Sequence, residues 1–268
     1  MTSPAEALLT VNSVSKSFGG LSALQDVSLS IGRQEIYGLI GPNGAGKTTL
    51  FNVLTGLYAS DSGDIFLAGR SLKYCAAHEI VARGVARTFQ NIRLFANMSV
   101  LENVKVGRHV RTQSGAWGAI WRGKKTRQEE RAISERAYTL LEYLGLAGHA
   151  ERLAKHLSYG DQRRLEIARA MATDPILLAL DEPAAGMNVG EREALKTLLK
   201  KLRLDSGLTI LLIEHDVKLV MGLCDRIAVL DYGKKIAEGP PAEVRSNREV
   251  IAAYLGVEST PTGQYGAA

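Results

Sequence analysis

The chain has 268 residues, 46% of them hydrophobic and 23% charged, with a formal net charge of +5; this balance argues against a disordered chain and suits one globular unit, or one core with an inserted subdomain. The apolar runs Ile176–Leu180 and Leu208–Ile213 fall far short of the ~18–20 residues that span a bilayer, and Met1–Thr10 has no basic stretch leading into a long apolar run, so the chain is expected to be neither exported nor integral to a membrane. Cys75 and Cys224 stand apart, without metal-type or redox spacing, and read as packing residues of a protein in a reducing compartment.

In chain order, short strands are predicted at Leu8–Val14, Val27–Ile31 and Ile36–Ile40, the last ending in glycine-rich sequence that opens a helix from Lys47 toward Leu57. Further strands are predicted at Asp64–Leu67, Val85–Phe89, Ile176–Leu180, Leu208–Ile213 and Arg226–Leu230, with helical patterns between several of them. Alternating strands and helices imply an α/β core with a largely parallel sheet. From Asn91 to Leu157 the pattern turns helical, as in Ala132, Ala137, Leu140, Leu141 and Leu144, and this stretch holds twelve Lys or Arg against six Glu. It reads as a helical subdomain inserted into the core, and it accounts for the basic excess. Pro240 and Pro241 then open a short C-terminal helix or two, and Glu258–Ala268 is small, polar and expected to fray.

Three segments carry chemistry. Gly41-Pro42-Asn43-Gly44-Ala45-Gly46-Lys47-Thr48, followed by Thr49, fits GxxxxGK[ST] between an apolar strand and a helix. Glycines there let backbone N–H groups turn inward as an anion nest at a helix N-terminus, Lys47 adds a point charge for the β- and γ-phosphates, and the Thr48 hydroxyl suits Mg²⁺. Leu177–Leu180 is an apolar strand that ends in the adjacent carboxylates Asp181 and Glu182, a costly arrangement unless a cation or a proton-accepting role compensates it. Asp181 suits the Mg²⁺ shell, and Glu182 suits orienting or deprotonating an attacking water. In Leu157-Ser158-Tyr159-Gly160-Asp161, Ser158 is placed to cap a helix whose first turn offers free N–H groups, a second anion site.

Together these segments resemble the ATP-binding cassette family, whose signature reads LSGGQ; here Tyr159 and Asp161 depart from it while Ser158 and Gly160 keep it. The resemblance implies a P-loop NTPase core with a mostly parallel sheet, a small antiparallel β subdomain and an inserted helical subdomain. It assigns 1–90 and 158–239 to the core, 91–157 to the insertion and 240–268 to a C-terminal helical extension with a flexible tail. It further implies MgATP as substrate and a head-to-tail pair of cassettes, with itself or with a paralogue, in which Ser158, Tyr159, Gly160 and Asp161 meet the partner's nucleotide. Gln90, after the strand at Val85–Phe89, matches the family's Q-loop near the Mg²⁺ site, and His215 matches its switch histidine. Phe18 lies where an aromatic ring stacks on adenine, and Asn188 stands where the family has an Asp.

The resemblance is nearest to ATPase subunits of branched-chain amino acid importers, through Arg87–Phe95, Met98–Val104, Asp181–Gly186, Asp231–Gly239 and Glu249–Gly256. It implies integral membrane permease subunits as partners, a periplasmic binding protein indirectly, and a place on the cytoplasmic face of a bacterial inner membrane. Urea or amide importers and lipid exporters use similar cassettes. A soluble cassette acting on ribosomes or DNA is the reading from another class, against which stand the single cassette and the lack of heptad repeats; no nucleic acid is expected. Trp117 and Trp121, four apart and followed by Arg122, Lys124, Lys125 and Arg127, suit contact with a membrane subunit or anionic headgroups, or else a solvated segment with locally packed tryptophans.

Overall fold

The computed structural model describes residues 7–111 and 124–255, so Trp117, Trp121, Arg122 and the tail from 256 onward lie outside the described residues. The chain opens with β1 (Ala7–Phe18), β2 (Leu21–Gly32) and β3 (Ile36–Ile40), followed by α1 (Lys47–Leu54), β4 (Ser62–Leu67), β5 (Arg70–Ser71), α2 (Ala77–Ala82) and β6 (Val85–Arg87). Then come α3 (Val100–Arg108), α4 (Lys124–Tyr143), α5 (Tyr159–Met171), β7 (Leu177–Asp181), α6 (Val189–Ser206), β8 (Thr209–Ile213) and α7 (Val217–Leu223). The chain closes with β9 (Arg226–Asp231), β10 (Lys234–Gly239), α8 (Pro241–Ser246) and α9 (Arg248–Leu255).

A six-stranded sheet, ordered β10-β9-β3-β8-β7-β6, is parallel except for its edge strand β10. A four-stranded antiparallel sheet, β2-β1-β4-β5, packs beside it. Every residue of β3, β7 and β8 is buried, as parallel strands covered on both faces require. Their alternation divides them between two cores. Ile36, Ile40, Leu178, Leu180, Ile210 and Leu212 point to one core with α3, α5 and α6; Tyr37, Leu39, Leu177, Ala179, Leu211 and Ile213 point to the other with α1 and the antiparallel sheet.

Helices α3 and α4 pack on α5, and Val100, Val104, Ala137, Leu140 and Leu141 join the first core there. Helices α3, α5 and α6 start on sequence-encoded caps, Ser99 with Glu102, Ser158, and Asn188 with Glu191 respectively, each worth about 1 kcal/mol. Several elements differ in length from expectation. α1 stops at Leu54 because Gly56 turns left-handed at φ 72°. β6 ends at Arg87 because Phe89 turns its amide toward Glu166. β10 was not anticipated, since its charged residues lack a buried-strand pattern and sit at the sheet edge.

Candidate active site

Strand register builds the site. β6 pairs with β7 so that Arg87 lies opposite Ala179; three residues further along, Gln90 comes level with Glu182. β7 pairs with β8 so that Asp181 lies opposite Ile213, which sets Glu214 and His215 beside Asp181 and Glu182. β3, on the other side of β8, ends at Ile40 and delivers the phosphate loop to the same edge. Four carboxyl ends of parallel strands thus converge, the place where open α/β sheets bind ligands.

The contacts are close. The Gln90 amide Nε2 donates to Glu182 Oε2 at 2.9 Å, and His215 Nδ1 lies 3.4 Å from the same oxygen. Glu182 sits in the left-handed region at φ 45°, with its own amide donating to the Ile213 carbonyl at 2.9 Å; such strain in a non-glycine residue costs about 1–3 kcal/mol and concentrates at functional positions. Lys47 is buried and donates to the carbonyls of Gly41 and Pro42 at 2.7 and 2.8 Å. Burial pulls the pKa of its ammonium down, while Glu182 and Asp181 hold it up. Burial pushes Asp181 up from the usual carboxylate range, against the pull of Arg87 and Lys47. Gly46, the residue before α1, has φ 100°, and a Cβ there would stand 2.6 Å from the Ala23 carbonyl, so only glycine lets the loop close over the strand below.

Asn43 through Thr49, Gln90, Glu182 and Phe18 line one open cavity of about 690 Å³, while Asp181 and His215 are not among its lining residues. Phe18 packs edge-on against Tyr58 with centroids 5.2 Å apart, and Lys16 Nζ lies 5.5 Å from its ring. Asp61 accepts from both Lys16 Nζ and the Ser17 amide at 2.6 Å, which anchors the strand end that presents the ring. Gly41 and Pro42, the first residues of the loop, do not line the cavity and serve through the carbonyls that accept from Lys47.

Ser158, Tyr159, Gly160 and Asp161 do not line this cavity. They form the first turn of α5, where Ser158 Oγ accepts from the Asp161 amide at 3.2 Å and donates to Asp161 Oδ2 at 2.8 Å, while Arg164 pairs with the same carboxylate. Tyr159 lays its ring against Gly186 and its hydroxyl 3.4 Å from Arg163 Nη2. Asn188 caps α6 by accepting from the Glu191 amide at 3.0 Å.

Three residues important to this geometry were missed in the sequence. Buried Glu214 accepts from the amides of Ala184 at 2.8 Å and His215 at 3.2 Å, and so ties the turn after Glu182 to the turn that carries His215. Arg163 and Glu166, also buried, hold the backbone at Phe89 and Gln90. Their signal is positional: Arg163 precedes Ile167 and Ala170 by four and seven residues and so shares their buried face, although its charge alone argues for solvent.

Residues 24–185 match the ABC transporter family model. This chain belongs to that family. Residues 234–260 also match the model of the branched-chain amino acid ATP-binding cassette transporter family. The high-affinity branched-chain amino acid transport ATP-binding protein LivG of Salmonella typhimurium is 49% identical over 251 residues, covering 94% of this chain and 98% of that protein. Its counterpart BraF of Pseudomonas aeruginosa is 45% identical, covering 93% and 98%. The crystal structure of MJ1267, an ATP-binding cassette of an ABC transporter in its ADP conformation, superposes with a TM-score of 0.82 at 32% identity, covering 93% of this chain and 99% of that one. The chain is accordingly an ATPase with the ABC cassette fold, and nucleotide is its ligand. Among the described residues no helix is long and apolar enough to cross a membrane.

Proposed function

We propose that this chain powers a branched-chain amino acid importer, as one of a pair of cassettes on the cytoplasmic face of a bacterial inner membrane. Two features support the reading: Glu182 set between Gln90 and His215 at the phosphate loop, and likeness to branched-chain transport ATPases that runs through residues 234–260. The second carries the substrate class, because the transported molecule does not touch this subunit.

The loop amides from Asn43 to Thr49 and the Lys47 ammonium bind the β- and γ-phosphates, and Phe18, backed by Tyr58, offers its ring face to the adenine. Among the described residues no three His, Cys, Asp or Glu form a metal cage. Mg²⁺ takes one or two carboxylates plus phosphate oxygens; the Thr48 hydroxyl, Asp181 and Gln90 would hold it. Held by these residues, Mg²⁺ would supply charge neutralisation at the transferring phosphoryl group. Glu182 accepts the proton of the attacking water, Gln90 and His215 fix its carboxylate, and His215 faces the γ-phosphate. Ser158 and Gly160 of a second cassette complete the phosphate contacts from the N-terminus of α5, so binding closes the pair and hydrolysis releases it.

An apolar groove of about 400 Å³ lies beside Phe89, with Leu57, Phe95 and Val110 exposed along it. It suits a cytoplasmic helix of the membrane permease, one residue away from Gln90 in sequence, and a periplasmic binding protein enters the assembly only through that permease. Uptake of labelled leucine tests the proposal, in cells that carry this chain or its Glu182→Gln form, with urea measured in parallel. Leucine uptake lost only with the variant is the expected result. Loss of urea uptake alone moves the chain to a urea importer, and no change in either refutes the import reading.

A further inference from the structure

Arg163 is the largest fully buried side chain of the described residues, and it lies on α5 without lining the cavity. Its Nη1 donates to the Phe89 carbonyl at 2.7 Å and to Glu166 Oε2 at 2.8 Å, and its Nη2 donates to the Gln90 carbonyl at 2.8 Å. Glu166 Oε1 accepts from the Phe89 amide at 3.2 Å and more weakly from the Arg93 amide at 3.5 Å. The planar, five-donor guanidinium fits this forked set of acceptors, which a lysine cannot reproduce.

Fold stability does not explain the pair. Taking both charges out of water costs several kcal/mol per ion, and well-packed apolar residues of similar volume are often as stable or more so. Arg163 Nε is also buried without a partner, a further cost. Apart from the bond within the pair and the 3.4 Å approach to Tyr159, every hydrogen bond the two side chains make ends on the backbone from Phe89 to Arg93. That segment leaves β6 after Arg87 and has no strand ladder to hold it.

We infer that Arg163 and Glu166 are positioning residues for Gln90: they lock the backbone that aims its amide at Glu182. The inference rests on the role proposed above for Gln90. Its consequence is mechanical as well, since the same guanidinium joins Gln90 at this chain's cavity to Tyr159 in the turn of α5 that meets the partner's nucleotide.

The test measures steady-state ATP hydrolysis and thermal unfolding for four chains: wild type, Gln90→Ala, the double variant Arg163→Met/Glu166→Leu, and all three changes together. The double variant is expected to unfold no earlier than wild type, to lose about tenfold or more in kcat, and to keep KM within about twofold. In the Gln90→Ala background the same double change is expected to alter kcat by less than about twofold, because residues that act through one group are not additive. Full kcat in the double variant, beside a Gln90→Ala chain that is slow, overturns the inference and leaves the role of Gln90 standing. Losses that multiply in the combined variant also overturn it. A Gln90→Ala chain at wild-type rate overturns both readings. Should the double variant not fold, Arg163→Lys decides: it keeps the charge but not the fork, and lowered kcat at unchanged KM is expected, while wild-type kcat refutes the positioning role.

Discussion

Replacing Glu182 by Gln keeps the shape of the side chain and one acceptor oxygen while removing the charge and the basicity. The retained oxygen can still accept from Gln90 Nε2, now 2.9 Å away, so the folded state loses only the difference between a charge-assisted and a neutral hydrogen bond, about 1 kcal/mol or less at this partly exposed position. The effect on turnover is of another size. A positioned general base contributes about 10²–10⁴-fold, and at 1.36 kcal/mol per decade the barrier rises by about 3–5 kcal/mol. ATP affinity is expected to hold, because the loop amides and Lys47 are untouched. The assay is phosphate release under saturating MgATP, paired with equilibrium binding of a fluorescent nucleotide and an unfolding curve. A kcat within tenfold of wild type, with binding and stability intact, refutes Glu182 as the base. A large drop accompanied by lost binding assigns the effect to a disturbed phosphate loop instead.

Two other perturbations separate stability from function. Burial raises the pKa of Asp181, so the folded chain holds a proton there more tightly than the unfolded chain; the stability this gives is present below the ordinary carboxylate range and is lost as pH rises through the raised value. At neutral pH Asp181→Asn is therefore expected to raise the unfolding temperature and to lower MgATP hydrolysis, with the gap in unfolding temperature narrowing toward pH 4; a lower unfolding temperature at pH 7.5 contradicts the sign. Ser158→Ala removes the cap of α5 and is expected to cost about 1 kcal/mol in chemical denaturation. It should lower hydrolysis while leaving nucleotide affinity of the isolated cassette unchanged, and unchanged hydrolysis argues against the role proposed for this turn.

The parts of the site legible in the sequence are those whose partners adjoin in the chain. The phosphate loop, the Asp181–Glu182 pair and the Ser158 cap each act within a few residues, so spacing alone reveals them. Gln90 and His215 were readable only as members of a family pattern, because their link is strand register: Arg87 opposite Ala179, and Asp181 opposite Ile213. Arg163, Glu166 and Glu214 escaped, since a charged residue in a helical or strand-end pattern is read as solvated, and only the fold shows them buried among backbone groups from distant segments. The strands behaved similarly. β3, β7 and β8 announce themselves by unbroken apolar runs, whereas β10 pairs through a backbone whose charged side chains carry no such pattern.

In the proposed pair of cassettes, the separation of the Ser158 turn from the phosphate loop also bears on how the pair would open again. In one chain the Ser158 hydroxyl is already satisfied, accepting from the Asp161 amide and donating to its carboxylate. In that proposed pair, a phosphate arriving from the partner's loop would have to take the donated hydrogen from Asp161, whose carboxylate is also paired with Arg164. The exchange replaces one charge-assisted bond by another, so its net yield is small compared with a bond formed at an unengaged hydroxyl. Closure then depends on the sum of many contacts to an intact triphosphate rather than on this serine alone. Loss of the γ-phosphate returns the hydroxyl to Asp161 at little cost, which favours a pair that reopens after each hydrolysis.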